Sequence, residues 1–346
     1  MKRKTKTTLR IIAAIVTLAS LIIFLPWGWI KLQLRPSAET VQAELDLAIA
    51  NGFVGMVAYI DKADAPPEVY AAGYNNREEK TLMRPETLFK IGSISKLYIA
   101  AAITKLVGEG RLSLDQTLNE LLPALAADVE NAEQITLRML VQHRSGIPNI
   151  VDDSEWSWPA PPQDLEGHYA LTVNRGSDFE PDKRYAYSNT NYLFLGAIMD
   201  RLLGYSHHQY IQNKILDPLK LNHTYHLMSE AGEENVSSGY YEDWEPDIRN
   251  QNYIIPGGSM ISTAEEVAIF HRALINGSFF SPEEKALYES LYPYDHTGLL
   301  PGYQSIVRFF PEQDMIIVLL MNKSGGNNWI VGEAIYDRIF NIVKSR

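Results

Sequence analysis

Short apolar runs and longer amphipathic runs divide the chain unevenly. Gly55–Ile60 and Glu68–Ala72 are apolar stretches of strand length, separated by a turn region holding Asp64, Pro66 and Pro67. Near the other end, Gln304–Phe310 and Met315–Met321 read as paired strands around the turn Pro311-Glu312-Gln313-Asp314. Helical spacing predicts an amphipathic helix over residues 38–50. A longer one starts near Ser93 and stops at the Gly108-Glu109-Gly110-Arg111 turn. Ser262-Thr263-Ala264-Glu265 has the spacing of a helix start, and a final helix is expected from about Asn328 to Ile342. Between about 110 and 245 the pattern is one of helical patches joined by loops rich in Pro, Trp and Asn. Strands at both ends with helices between them predict an α/β domain over 37–346, built from both termini, with a mainly helical insertion.

The N-terminus follows another pattern. Ile11 to Ile30 is an uncharged run of twenty residues, interrupted by Pro26. At about 1.5 Å per residue it would span roughly 30 Å, the thickness of a bilayer core. Lys2, Arg3, Lys4, Lys6 and Arg10 precede it, and Lys31 and Arg35 follow. That bias predicts a cytoplasmic start, a single transmembrane helix and linker within residues 1–36, and a body outside the membrane. The competing reading is a cleaved signal peptide with Leu18-Ala19-Ser20 as a poor cleavage site.

Charge sharpens this division. Residues 1–36 hold seven basic residues and no acid, which leaves 24 basic against 42 acidic residues in the rest, a net of −18. Such a body repels phosphate backbones, so nucleic acid is set aside as a partner. The absence of cysteine removes disulfides, thiolate nucleophiles, cysteine-based zinc sites and a lipoprotein anchor.

Candidate chemistry lies in three short motifs. In Ser93-Ile94-Ser95-Lys96, residues three apart share a helix face, so Lys96 reaches the Ser93 hydroxyl and adjacent Ser95 does not. A serine becomes a useful nucleophile once a nearby base takes its proton, and a helix start offers free N–H groups to an oxyanion. Read alone, Ser93 could equally cap a helix. Tyr187-Ser188-Asn189 offers a phenol to shuttle protons, its ionised form favoured by a nearby ammonium, and an amide for the substrate and Lys96. As an isolated triplet it is also ordinary turn chemistry, and Tyr74-Asn75-Asn76 repeats the pattern with no partner. In His296-Thr297-Gly298-Leu299, Gly298 on a strand would let a substrate approach. The Leu299 and Ser93 N–H groups would then form an oxyanion hole. A polar turn before a strand is the alternative.

The ordered set resembles the serine β-lactamase and penicillin-binding-protein superfamily, in the branch of class C β-lactamases, D-alanyl-D-alanine carboxypeptidases and related esterases. Phe89-Lys90-Ile91-Gly92-Ser93-Ile94-Ser95-Lys96 is similar to its nucleophile segment, and Leu106…Gly110-Arg111-Leu112-Ser113-Leu114-Asp115 to the stretch that follows. Leu140-Val141-Gln142-His143-Arg144-Ser145-Gly146-Ile147 resembles its His-Thr-Ser-Gly segment, with Arg144 at the usual threonine. Phe179-Glu180-Pro181-Asp182 stands where Pro-Gly is usual, and Gly257–Ala264 and Asn322 complete the likeness. Tyr replaces the serine of the Ser-Asp-Asn motif, and His the lysine of Lys-Thr-Gly.

The resemblance implies a β-lactamase-like fold, an antiparallel sheet flanked by helices, and an acyl-enzyme formed on Ser93 with Lys96 and Tyr187 moving protons. Asn189, His296, Thr297, Gly298 and Leu299 would bind the substrate and its oxyanion. No cofactor or metal is implied. The substrate would be a small peptide, a β-lactam or an ester, and the His-Thr-Gly form points to a D-alanyl-D-alanine carboxypeptidase-like peptidase. An esterase, a weak β-lactamase and a slowly deacylating penicillin-binding sensor are the alternatives. His143 reads as structural, and His207, His208, His223 and His226 as ordinary surface or core residues. The Trp156–Pro162 loop either walls the cleft or packs on the surface.

Overall fold

Residues 315–321 show why the sheet forms where it does. Met315, Ile317, Leu319 and Met321 point to one side, while Ile316, Val318 and Leu320 point to the other, and all seven are fully buried. A strand with both faces covered carries a continuous apolar run, as this one does. The computed structural model describes residues 3–24, 30, 35–242, 244 and 247–345.

Six strands form an antiparallel sheet in the order β3-β2-β1-β9-β8-β7. They are β1 (Gly55–Lys62), β2 (Glu68–Asn76), β3 (Thr81–Leu82), β7 (His296–Leu300), β8 (Tyr303–Phe310) and β9 (Met315–Met321). Strand β1 pairs with β9 with Tyr59 opposite Val318, so the two chain ends meet in the middle of the sheet. On one face lie the helices Val41–Ala50 and Asn328–Lys344, which bury Val41, Leu45, Ile335, Tyr336 and Ile339 against Met56, Ala58 and Ile60. The opposite face is covered by the helices Ser95–Gly108 and Ala264–Asn276, where Tyr98 and Phe270 stack at 3.6 Å. Arg272 ties the second of these to the sheet through Asp61, at 2.7 Å, and Asp314.

Residues between β4 (Phe89–Lys90) and β5 (Tyr240–Tyr241) form helices and turns, the longest described elements being the helices Asn189–Leu203 and Ser95–Gly108. Strand β4 pairs with β6 (Ile261–Ser262), and β5 lies parallel to β10 (Lys323–Ser324), which fastens this region back to the sheet.

Local signals place the helix ends. Thr40 caps Val41–Ala50 by accepting from the Ala43 N–H, so that helix starts three residues later than the apolar spacing suggests. Thr263 caps Ala264–Asn276 in the same way, at Glu266. The helix Pro282–Leu291 was not anticipated, although Ser281 and Glu284 form a reciprocal capping box with Pro282 in its first turn.

The N-terminal expectation of a transmembrane helix finds no support among the described residues. Among the described residues no helix is long and apolar enough to cross a membrane. The helix there is Arg3–Phe24, and its first two turns are basic, leaving the fourteen residues 11–24 as its apolar part. At about 1.5 Å per residue they reach roughly 21 Å, short of the 30 Å core. Residues 25–29, the rest of the expected span except Ile30, lie outside the described residues.

Candidate active site

Strand β4 ends in a turn that only glycine makes easily: Gly92 has φ +52°. A Cβ there would lie 3.1 Å from the Leu299 nitrogen and 3.2 Å from the Gly298 Cα, so β7 runs directly against this turn. Residues Gly92–Ile94 form one 3₁₀ turn that leads into the helix Ser95–Gly108. Ser93 therefore stands at a helix start and is part-exposed, whereas its neighbours are buried. The two serines divide their roles. Ser95 donates to the Gly92 carbonyl at 2.6 Å and accepts from the Met260 N–H at 3.2 Å, which fixes the turn.

Lys96 is fully buried and has three acceptors: Asn189 Oδ1 and the Gly257 carbonyl at 2.8 Å, and Ser93 Oγ at 3.3 Å. Burial brings its ammonium down to about 7. In the neutral amine, two N–H groups suffice for the two short bonds. The lone pair then faces Ser93 Oγ and can take its proton. Tyr187 Oη donates to Ser93 Oγ at 2.8 Å from the other side. Its phenol is not pushed towards phenolate, as proximity to a lysine suggested. Burial raises it well above its ordinary value, so it stays a proton donor.

Contacts from His143 and Asn149 hold it there. His143, at φ +56°, stacks on the Tyr187 ring at 4.4 Å and accepts from the Ser188 N–H through Nδ1 at 3.1 Å. Burial holds His143 down to about 3, so it is a neutral platform, as its structural reading implied. Asn189 meets Lys96 as expected, and its NH₂ group is engaged as well. Oδ1 accepts from Lys96, while Nδ2 and the backbone N–H both donate to Asn149 Oδ1, at 3.1 and 2.9 Å. Asn149 is a site residue that sequence reasoning missed.

The third motif lies on β7, an edge strand. Gly298 faces Ser93's turn so closely that a Cβ would lie 2.1 Å from the Ile91 carbonyl and 2.3 Å from Ser305 Oγ. Thr297 and Leu299 are exposed on this strand. Both ring nitrogens of His296 are taken. Nδ1 donates to the Thr297 carbonyl at 2.7 Å, and Nε2 accepts from Tyr292 Oη at 2.9 Å. Burial, helped by the charge of Lys96, holds it at about 4, so it is neutral at pH 7.

Two of the departures from the superfamily pattern pair with each other. Asp182, in the glycine position, adopts φ +64°, which Asp tolerates better than most side chains. Its carboxylate and carbonyl both accept from the Arg144 guanidinium, and its N–H donates to the Arg144 carbonyl at 2.8 Å.

Two depressions lie on either side of the Tyr187 ring and Ser93. The larger, of about 620 Å³, lies beyond Tyr187, His296 and Thr297, with Arg144, Asp295 and Arg308 around it. The smaller, of about 50 Å³, is lined by Ser93, Asn189 and Leu299 together with Trp156, Trp158 and Tyr253. The Trp156–Pro162 loop thus walls the cleft. Lys90, unremarked in the sequence, is buried behind this wall. Its ammonium donates to the carbonyls of Arg249 and Gln251 and lies 5.6 Å from the Tyr253 ring centre. The other histidines stay structural: His208 stacks on His226 at 4.8 Å, and His207 is bound to Asp200. Among the described residues, no cluster of three or more His or acidic side chains could hold a metal.

This geometry agrees with comparisons to known proteins. The Beta-lactamase family matches residues 41–336. Penicillin-binding protein 4* of Bacillus subtilis (strain 168) is 23% identical over 304 residues, covering 73% of this chain and 65% of its own. The chain spans only 56% of the length of another relative, protein flp of Staphylococcus aureus (strain COL), at 27% identity over 72% of this chain. Among solved structures, D-amino acid amidase from Ochrobactrum anthropi SV3 superposes with a TM-score of 0.78 at 22% identity, covering 88% of this chain and 98% of that one. A serine at a helix start, a lysine one turn on, and a family match across most of the chain lead to one conclusion: the protein belongs to the Beta-lactamase family and is a serine hydrolase of that fold.

Proposed function

We propose that Ser93 is the nucleophile of a D-alanyl-D-alanine carboxypeptidase-like peptidase, attached to the cell membrane by its N-terminus and working outside it. The observation that carries the chemistry is the convergence on Ser93 Oγ of Lys96 Nζ at 3.3 Å and Tyr187 Oη at 2.8 Å. Neutral Lys96 takes the Ser93 proton as Oγ bonds to the substrate carbonyl carbon. The oxyanion is held by the N–H groups of Ser93 and Leu299. As the carbon–leaving-group bond breaks, Tyr187 protonates the leaving group and recovers a proton from the Lys96 ammonium. Water then adds to the ester carbonyl, the acid departs, and Ser93 regains its hydrogen.

A second reading, hydrolysis of uncharged esters, is favoured by one observation. Neutral His296 supplies no charge for a substrate carboxylate. Membrane attachment is supported by the helix Arg3–Phe24, where Ile11, Ile12, Ile15, Val16, Leu18 and Leu21 are all more than half exposed. A run of exposed apolar side chains beyond the basic turns suits lipid better than water.

The test uses full-length protein with a fluorescent penicillin, a D-Ala-D-Ala peptide and a short-chain ester. All rates should vanish in Ser93→Ala, and a trapped acyl group should sit on Ser93. A label on Ser95, or activity in the variant, would overturn the assignment. Fastest turnover of the ester would select the second reading, and a stable penicilloyl adduct would mark a sensor. Protease added to intact spheroplasts should degrade residues 37–346; a protected body would refute the topology.

A further inference from the structure

Ser93 stands between two lysines, Lys90 three residues before it and Lys96 three residues after, and both grip the same distant segment. Lys90 Nζ donates to the carbonyls of Arg249, at 2.6 Å, and Gln251. Lys96 Nζ donates to the carbonyl of Gly257 at 2.8 Å. Among the described residues these are the only hydrogen bonds between residues 249–257 and the nucleophile's own stretch, 89–96. Tyr253 and Ile255 of that segment line the smaller depression together with Ser93 and Asn189.

We propose that Lys90 is a positioning residue for the reaction at Ser93: its two bonds hold residues 249–257 against the nucleophile, which places the Gly257 carbonyl at Lys96 and keeps water from that amine. This rests on the reading of Ser93 as the acylated residue. Lys90 lines neither depression beside Ser93, so it acts through the segment and not on the substrate. It is only 4% exposed, and its bonds go to backbone carbonyls instead of a carboxylate. Asp247, the nearest acid in the segment's approach, is spent on the Gly239 and Arg249 N–H groups, each at 2.9 Å. The Lys90 ammonium also lies 5.6 Å and 5.1 Å from the ring centres of Tyr253 and Tyr303. Burial brings it down to about 7, yet the neutral amine still has two N–H groups for its two carbonyls. The anchor therefore holds on both sides of neutrality.

Little else fixes the segment. Among the described residues, the backbone of 252–256 makes no backbone hydrogen bond beyond the turn from the Gly258 N–H to the Ile255 carbonyl. Tyr253 Oη donates to Gln251 Oε1 at 2.5 Å, within the segment, and its longer contact is the Trp158 carbonyl at 3.3 Å. Tyr253 therefore follows Gln251. Arg249 and Gln251 are half-buried and Asn250 is exposed, so water is close at hand. Without the Lys90 donors, the two carbonyls would turn to that water and draw the segment outward.

The test uses the full-length protein and follows acylation of Ser93 by a fluorescent penicillin and by 4-nitrophenyl acetate, in single turnovers from pH 5 to 9, beside thermal unfolding. Lys90→Met keeps the length of the side chain and removes the donors. Acylation should slow at least tenfold, since a misplacement of about 1 Å costs about 10². Its pH midpoint should rise above the wild-type value of about 7, because burial is what lowers Lys96 and an outward segment readmits water. Lys90→Arg keeps the charge and the donors, and should restore both rate and midpoint. Lys90→Gln removes the charge but keeps an N–H donor, so its midpoint should fall between wild type and Lys90→Met. A merely structural lysine would lower the unfolding temperature and leave the midpoint unmoved. That result, or a Lys90→Gln midpoint displaced as far as that of Lys90→Met, overturns the proposal and leaves the Ser93 chemistry standing. Failure of both uncharged variants to fold would make Lys90 a folding residue and overturn it too. Absence of any acyl group on Ser93 of the wild type overturns both readings.

Discussion

Gly298→Ala tests the geometry around Ser93 with a single methyl group. The new Cβ would lie 2.1 Å from the Ile91 carbonyl oxygen, and an unstrained C···O contact is about 3.3 Å, so β7 must retreat by about 1.2 Å. Strand β7 is free to do so because, among the described residues, it is the sheet edge and pairs only with β8. The retreat carries the Leu299 N–H away from the oxyanion position while leaving Ser93, Lys96 and Tyr187 in place. Loss of one oxyanion donor costs about 10²–10³ in kcat, and a 1 Å misplacement alone costs about 10². Overpacking should reduce stability by about 1–3 kcal/mol, which the fold survives. The assay is the single-turnover acylation rate with 4-nitrophenyl acetate, beside a thermal unfolding curve. Removing the second clashing group with Ser305→Ala should not rescue the rate, because the Ile91 carbonyl remains. A folded Gly298→Ala protein with kcat within threefold of wild type would refute the reasoning.

Acylation should rise with pH through about 7, because the active form of Lys96 is the neutral amine and burial holds its pKa there; stopped-flow rates from pH 5 to 9 test this, and a flat profile would remove Lys96 as the base. Tyr187→Phe should slow acylation by about 10²–10⁴ with little change in substrate binding, since the ring still rests on His143; a loss of only a few-fold would mean that the leaving group is protonated by water. His296→Lys should raise kcat/KM for a penicillin relative to a neutral ester. In the wild type this ratio should be flat between pH 6 and 9, because His296 stays neutral above about 4; an unchanged ratio in the variant would place carboxylate recognition elsewhere. Acid stability provides the last test. Burial, with the charge of His207, holds His226 at about 4, below the unfolded value of about 6.5, and both its ring nitrogens are buried without a partner. The unfolded chain therefore protonates first, and the stability present above pH 6.5 is lost as pH falls towards 4. His226→Leu should remove about 2 kcal/mol of the loss between pH 7.5 and 5, read from urea unfolding at both pH values.

The amino-acid sequence by itself determined what depends on near neighbours. The unbroken apolar run of Met315–Met321 requires a strand covered on both faces, and Ser93 and Lys96 meet because residues one helical turn apart share a side. The β-turn at residues 311–314 and the helix start at Thr263 are likewise short-range events, set by a turn or a cap within four residues. Tertiary structure decided everything that needs distant segments to meet. Tyr187 arrives at Ser93 from 94 positions away, carried by a loop laced to His143 and Asn149. Asn149 was illegible because nothing around it marks an asparagine that will orient another asparagine. The bond that occupies His296 Nε2 depends on Tyr292, and the coupling of Arg144 with Asp182 spans 38 residues. Protonation states were the least legible of all. Proximity to lysine suggested a more acidic Tyr187, yet burial raises the phenol and lowers the lysine, because the cost of holding a charge depends on how much water the fold removes. That quantity belongs to the assembled structure and to no local stretch of the chain.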